Sequence, residues 1–253
     1  MKAMIFAAGL GTRLRPITDN IPKALLPIGG KTLLQHQIER LREAGITDIV
    51  VNVHHFADMI IDYFRQNDNF GCDISVSDER DRLLDTGGGL RKAAHLLMPD
   101  KNTAESLLAC NVDILSNINI PELIAAHKPD SIATLVVSER NTQRYLIFDE
   151  ENRMVGWTNI ATNEVKPFNM EYNKDCMRLL AFSGMQILSP RIFELMDNVV
   201  EEKGDKFSLI DLYLSLCSDE IIRAYIPANY HMMDVGKIGQ LSDAEDFAIT
   251  HLK

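Results

Sequence analysis

The sequence predicts an α/β fold with a mostly parallel, mixed sheet flanked by helices. Three observations point to it. Through the first half, short apolar strand-like runs alternate with runs of helical period, the pattern of a parallel sheet covered on both faces. Polar clusters fall where those strands end, which is where such sheets bind ligands. No Pro/Gly/Ser-rich linker divides the chain, so residues 1–253 read as one domain with halves 1–120 and 121–253.

The elements follow in order. "AMIF" (residues 3–6) is a first strand, and "AAGLGTRLRP" (7–16) is a loop. "KTLLQHQIERLREAG" places Leu34, Ile38 and Leu41 at helical spacing, with Thr32 as N-cap and Gly45 as C-terminal stop. "DIVVNV" is a buried strand. "FADMIIDYF" is a helix with Phe56, Ile60 and Phe64 on one face, and "DISVS" alternates like a strand. "GGGLRKAAHLL" is a helix opened by glycines, and "SLLAC" is a strand running into "NVD". A helix near Pro121–His127 and the strand "IATLVV" follow. In the second half, "RYLIFDEENRMVGW" reads as a hairpin and "LLAFSGMQILSP" as a strand. "PRIFELMDNVV" and "SLIDLYLSLC" are amphipathic helices and "IIRAYIP" is a strand. "HMMDVGKIGQLSDAEDFAI" is a turn leading into a last helix.

The composition, 46% hydrophobic over 253 residues, is enough for a sizeable core. A net charge of −10 argues against a global attraction to nucleic acid or an anionic membrane, while leaving room for a local basic pocket. No apolar run approaches the ~18 residues of a membrane span. The N-terminus, interrupted by glycines, reads as a strand rather than a signal peptide, so the protein is expected in the cytoplasm. Cys72, Cys110, Cys176 and Cys217 lack metal or redox spacing and read as buried free thiols. No internal repeat or low-complexity tract is visible.

The opening loop fits neither common glycine-rich phosphate pattern. GxGxxG requires glycine at position 14, which is Leu14, and Pro16 interrupts any helix. The Walker pattern at "LLPIGGKT" would require glycine at position 25, which is Leu25, so Gly29 to Thr32 read as a turn and helix cap. A freer phosphate loop remains. Gly9 and Gly11 let the backbone approach an anion, and Arg13, Arg15 and Lys23 supply charge. His54, His55 and His231 lack ligand partners at metal spacing, and Ser106, Ser183 and Ser208 lack a GxSxG context. Met232 and Met233 read as packing residues. The acidic stretches 78–85 and 149–151 read as solvated loops, with base-reading groups conceivable in the first.

"FAAGLGTRLRPITDNIPKALLPIGGKTLL" (residues 6–34) resembles the signature LAAGxGTRLRPxTxxxPKxLxPxxGxPLL of sugar-1-phosphate nucleotidyltransferases. "LLDTGGGL", "CNVDIL", "AFSGMQILSP" and "MMDVGK" extend the likeness along nearly the whole chain. The spacing is most similar to the small bacterial branch that includes N-acetylmuramate-1-phosphate uridylyltransferases and mannose-1-phosphate guanylyltransferase-like proteins. The resemblance implies a Rossmann-like, glycosyltransferase-A-like fold with a nucleotide-binding first half and a sugar-phosphate-binding second half. It implies Mg²⁺-assisted attack of a sugar 1-phosphate on the α-phosphorus of an NTP, releasing pyrophosphate, in cell-envelope sugar or polysaccharide metabolism. The implied partners are the NTP and the sugar 1-phosphate, with the chain a monomer or homodimer.

By the same resemblance, Ala8, Gly9, Gly11 and Thr12 cradle the triphosphate, Arg13 holds its departing end and Lys23 contacts the α-phosphate. Asp113 and Asp234 bind the metal, and Thr86, Gly87 and Gly88 face the base. Asn111, Phe182 and Gly184 line the sugar pocket. Lys166, in an interrupted Glu-Val-Lys-Pro, is a candidate for the sugar phosphate, with Trp157–Asn159 as a rival segment. Two departures stand out: Val112 replaces the glycine of the usual NGD, and Lys237 replaces the usual threonine after the final Asp-x-Gly. No hexapeptide repeat is present, so acetyltransferase activity is not expected. The alternative is a non-catalytic protein of the same fold that senses a nucleotide sugar.

Overall fold

The computed structural model describes residues 1–98, 100, 105–167 and 172–252. The strands of its main sheet are β1 (Ala3–Phe6), β2 (Asp48–Val53), β3 (Asp73–Asp78), β4 (Leu107–Asn111) and β5 (Ser131–Ser138). They continue with β6 (Arg144–Phe148), β7 (Met154–Asn159), β8 (Glu164–Lys166), β9 (Arg178–Leu188) and β10 (Ile221–Tyr225). The helices are α1 (Leu33–Glu43), α2 (Ala57–Gln66), α3 (Asp85–Lys92), α4 (Ala94–Leu97), α5 (Ile120–Ala126), α6 (Ile192–Lys203), α7 (Leu209–Leu216) and α8 (Leu241–His251).

The sheet is mixed, and its parallel and antiparallel parts coincide with the two halves of the sequence. β4, β1, β2 and β3 lie side by side and parallel. β9 then runs antiparallel against β4, β5 and β6, and the hairpin β6–β7 with β8 extends that side antiparallel. β10 adds a parallel pairing to β5. The antiparallel share exceeds the sequence expectation because β9 is long enough to serve three neighbours. Arg178–Leu180 pair with β6, and Met185–Leu188 pair with β4. A register break at 182–186 sits at Gly184, whose φ of +72° bends the strand. The sheet is therefore continuous across residue 120.

The core follows from the period-two alternation of the strands. Ala3 and Ile5 of β1 face one side, with Leu34, Ile38 and Leu41 of α1 and Phe64 of α2. Met4 and Phe6 face the other, with Leu90 of α3 and Leu212 and Tyr213 of α7. Each buried aliphatic or aromatic side chain contributes about 1.5–3 kcal/mol, so both faces must be covered. Local signals fix the helix ends. Thr32 accepts a hydrogen bond from Gln35 N at 3.0 Å, Gly45 has φ +80°, and Ser208 with Asp211 forms a capping box on α7.

Two expectations change. The glycines 87–89 lie inside α3 rather than ahead of it, and the helix breaks at Ala93 into the short α4. The C-terminal turn contains a strand as well. Met232–Asp234 pairs antiparallel with Ile114–Ser116, placing Asp234 opposite Ile114, with Val235 N on Asp113 O at 2.9 Å. Of the cysteines, all unpaired, Cys110 is fully buried and its thiol is pushed up to about 12 by burial, while the other three are partly exposed. No helix among the described residues is long and apolar enough to cross a membrane.

Candidate functional site

β1, β2, β3 and β4 all end on the same edge of the sheet, and a cavity of about 340 Å³ opens there. That is within the range of small-molecule sites. It is bordered by the backbone of the loop after β1 (Ala7, Ala8, Gly9), by Asn111 and Asp113 after β4, by Lys23, and by Asp85 and Thr86 at the start of α3. A larger cleft, about 720 Å³, lies between α3–α4 and α6. Two of its arginines already pair with carboxylates, Arg91 with Asp197 and Arg191 with Glu220.

The loop is shaped by two short 3-10 turns, Thr12–Leu14 and Ile17–Asp19, rather than by a helix dipole. Leu14 is fully buried and anchors it. Gly11 has φ +64°, and a Cβ there would sit 3.1 Å from Thr18 Cγ2 and 3.2 Å from Lys23 Cβ. Thr18 donates to Gly11 O at 2.9 Å, closing the turn. A Cβ at Gly9 would meet nothing within 4 Å, so that backbone faces open space. Thr12 is exposed and starts the first turn. Of the three cations expected to act together, Arg15 departs. It pairs with Asp19 at 3.3 Å on the surface.

Lys23 is only 8% exposed, and its ammonium pairs with Asp113. Asp234 joins them through the Ile114–Ser116/Met232–Asp234 ribbon. Its Oδ1 is buried with no hydrogen-bond partner among the described residues. Burial first, and the Asp113 charge second, push its carboxyl above the usual range, while Lys23, Arg13 and Arg140 pull the other way. Arg13 is close by. A Cβ on Gly236 would lie 2.8 Å from Asp234 Oδ1 and 3.2 Å from Arg13 Nη2, so only glycine leaves both groups their room. A buried carboxylate oxygen without a donor, beside a second carboxylate, suits a hard divalent cation that completes its shell from phosphate and water. No group of three or more His, Cys, Asp or Glu able to hold a metal occurs among the described residues, and Mg²⁺ bound with phosphates needs only one or two.

The β9 bend packs beside Asn111 and Ile114. A Cβ on Gly184 would sit 2.7 Å from Ile114 Cγ1 and 3.1 Å from Asn111 Nδ2. The Phe182 carbonyl accepts from Arg140 Nη2 at 3.1 Å. Arg140 follows β5, and its Nε is buried without a partner among the described residues.

Lys166 is not brought to the carboxylates. Its ammonium pairs with Glu164 at 3.2 Å and lies 5.3 Å from the Trp157 ring centre, on the outermost strand β8. The glycines of "TGGG" are also placed differently from the expectation. Gly87 N and Gly88 N both donate to Phe207 O, at 2.9 and 3.1 Å, so they are not free to read a base. A Cβ on Gly87 would come within 2.4 Å of the Phe207 ring, and one on Gly88 within 2.1 Å of Asp205 O. The glycines seat the 205–208 loop. Thr86 borders the cavity, but its hydroxyl accepts from Leu209 N at 3.0 Å.

Sequence reasoning missed a buried network under the cavity. Asn52 Oδ1 accepts from Ala7 N at 2.7 Å, and its Nδ2 donates to Glu79 Oε1 at 2.7 Å. Glu79 Oε2 accepts from Leu84 N at 3.1 Å. Glu79 is fully buried, and burial raises its carboxyl above the usual value against these hydrogen bonds. The visible signal was Asn52, an amide in the otherwise apolar run "IVVNV". His54 has a structural role, its Nδ1 bonded to Glu79 O at 2.7 Å.

Backbone of the loop after β1, opposed by the Asp113–Asp234 acid pair beyond β4, defines an α/β protein whose polar site lies at the carboxyl edge of its parallel strands. The particular family follows from comparison. The chain belongs to the nucleotidyl transferase family, whose model matches residues 2–251. It is 47% identical over 97 residues to the N-acetylmuramate alpha-1-phosphate uridylyltransferase of Caulobacter vibrioides, covering 38% of this chain and 40% of that one. It is 30% identical over 203 residues to the mannose-1-phosphate guanyltransferase of Kluyveromyces lactis, covering 78% and 52%. The chain thus spans about half the length of the curated relatives it matches. Its fold is that of the inositol-1-phosphate CTP transferase from T. maritima, with a TM-score of 0.75, 18% identity and coverage of 100% and 96%.

Proposed function

We propose that this protein is a sugar-1-phosphate nucleotidyltransferase, converting an NTP and a sugar 1-phosphate to an NDP-sugar and pyrophosphate. The observation that carries the reading is the Asp113–Lys23–Asp234–Arg13 cluster, whose Asp113 and Lys23 border the same cavity as Ala8 and the open backbone of Gly9. Phosphate transfer asks little covalent work of a protein, so positioning and charge neutralisation carry the catalysis. Ala8, Gly9, Gly11 and Thr12 offer backbone to the triphosphate. Lys23, held beside Asp113, neutralises the α-phosphate, where charge builds during attack. Arg13, at the other side of Asp234, stabilises the departing pyrophosphate. Asp113 and Asp234 would hold Mg²⁺, which when bound neutralises phosphate oxygens.

On the acceptor side, Asn111, Phe182 and Gly184 form the sugar wall. Arg140 replaces Lys166 as the better-placed cation for the sugar phosphate, because its buried Nε is unpartnered while Lys166 is engaged elsewhere. The relatives named above are uridylyl and guanylyl transferases. We therefore put N-acetylmuramate 1-phosphate with UTP, and mannose or heptose 1-phosphate with GTP, first, in cell-envelope sugar or polysaccharide metabolism. The test is pyrophosphate release with Mg²⁺ across a panel of NTPs and sugar 1-phosphates. Turnover with one pair, abolished by Asp113→Asn in a folded protein, is the expected result. Nucleotide-sugar binding with no turnover for any pair would instead make the chain a sensor.

A further inference from the structure

Two segments remote in sequence line the cavity together, Leu83, Asp85 and Thr86 at the start of α3 and Lys206 from the loop before α7, and the bonds of Gly87 N and Gly88 N to Phe207 O hold them side by side. Asp85 opens α3 at φ +63°. That left-handed conformation strains a residue with a Cβ, aspartate less than most, and glycine not at all. Glycine would hold that conformation without strain, yet the position holds a carboxylate. Its only hydrogen bond among the described residues is local, Oδ1 accepting from Thr86 N at 2.7 Å. Lys206 borders the same cavity from the far half of the chain. Its loop is fastened by the two Phe207 O contacts, by Leu209 N on Thr86 Oγ1, and by Asp205 between Arg82 at 3.4 Å and Arg91 at 3.7 Å. Lys206 itself makes no hydrogen bond or ion pair among the described residues. An unpaired ammonium and a strained, underused carboxylate thus border the space left for the nucleoside once the phosphates lie on the opening loop.

We infer that Asp85 and Lys206 are specificity-determining residues that read the nucleoside end of the triphosphate, an inference that rests on the nucleotide reading above. Asp85 accepts from a ring N–H, and Lys206 donates to the neighbouring ring carbonyl. The pair complements a base edge that sets N–H beside C=O, as uracil, thymine and guanine do. Adenine has no ring carbonyl and is disfavoured.

The test is equilibrium titration of the full chain with UTP, GTP, dTTP and ATP in Mg²⁺, and with pyrophosphate, for wild type, Asp85→Gly and Lys206→Gln. Wild type should bind an oxo-base triphosphate more tightly than ATP. Each variant should weaken the best one by about tenfold or more, the scale of a charge-assisted hydrogen bond, and narrow the gap to ATP. Pyrophosphate affinity should not change. Asp85→Gly should melt no lower than wild type, since glycine relieves the backbone. Unchanged affinities and order in both variants, an equal loss for pyrophosphate, or ATP bound as well as the rest by wild type would each overturn the inference. If wild type discriminates among triphosphates but turns over no sugar phosphate, the transfer reading falls and this one stands. If it binds none, both fall.

Discussion

A carboxylate oxygen that is buried with no donor opposes folding. Asp234 carries such an oxygen, next to a second carboxylate. Its raised carboxyl gives a signed prediction. The unfolded chain releases this proton near pH 4, and the folded chain releases it higher. The contribution of Asp234 to stability is therefore greatest below about pH 4 and declines as pH rises through the folded value. Asp234→Asn should flatten that decline and raise the melting temperature at pH 7 while removing turnover, as thermal melts across pH and a pyrophosphate assay would read. A variant that melts lower at pH 7 would contradict the electrostatic account. Glu79 behaves differently, because both of its oxygens accept hydrogen bonds. A glutamine there turns an NH₂ toward a donor, so Glu79→Gln should lose about 1–3 kcal/mol in denaturant unfolding. It should also weaken nucleotide binding, because Asn52 holds Ala7 N in place.

The elements that matter most are the ones with a glycine where a side chain cannot fit. In α3 the glycines admit the Phe207 carbonyl and ring. Gly87→Ala should unseat the loop, costing about 1–3 kcal/mol by overpacking and speeding amide exchange across 205–208. Retained exchange protection there would mean that the loop docks without the glycine. In β9, Gly184→Ala combines φ +72° with a methyl 2.7 Å from Ile114. It should raise KM for the sugar phosphate more than for the NTP. These two sites also show how far the sequence was readable at this scale. The run "TGGG" was singled out for a base, whereas its glycine N–H groups meet Phe207 O, a partner some 120 residues away in the 205–208 loop. The Ile114–Ser116/Met232–Asp234 ribbon escaped notice for the same reason. Three-residue strands have too little pattern to announce themselves, and their pairing is a long-range choice.

Over the whole molecule, the two sequence halves meet at the β4–β9 seam and at the two aspartates, so ligand binding should stabilise the chain as a unit. Mg²⁺ with a preferred NTP at about 100 times Kd should add about 2.7 kcal/mol, a melting shift on the order of 5–10 °C for a chain of this size. Asp113→Asn should abolish the part of the shift that depends on Mg²⁺. A shift that Mg²⁺ does not alter would remove Asp113 and Asp234 from the metal role.

The sequence by itself determined the alternating order of strands and helices, the two-sided core and the glycine-rich loop after the first strand. These depend on local periodicity, turn chemistry and one contiguous motif, all encoded in neighbouring residues. Tertiary structure alone decided that Arg15 points to the surface while Arg13 joins Asp234, and that Lys166 is engaged with Glu164 and Trp157 while Arg140 faces the site. It also decided that Asp85 and Lys206 line one cavity. Such choices depend on where a side chain ends after the chain has crossed the sheet and returned, a distance in space that no spacing along the sequence records.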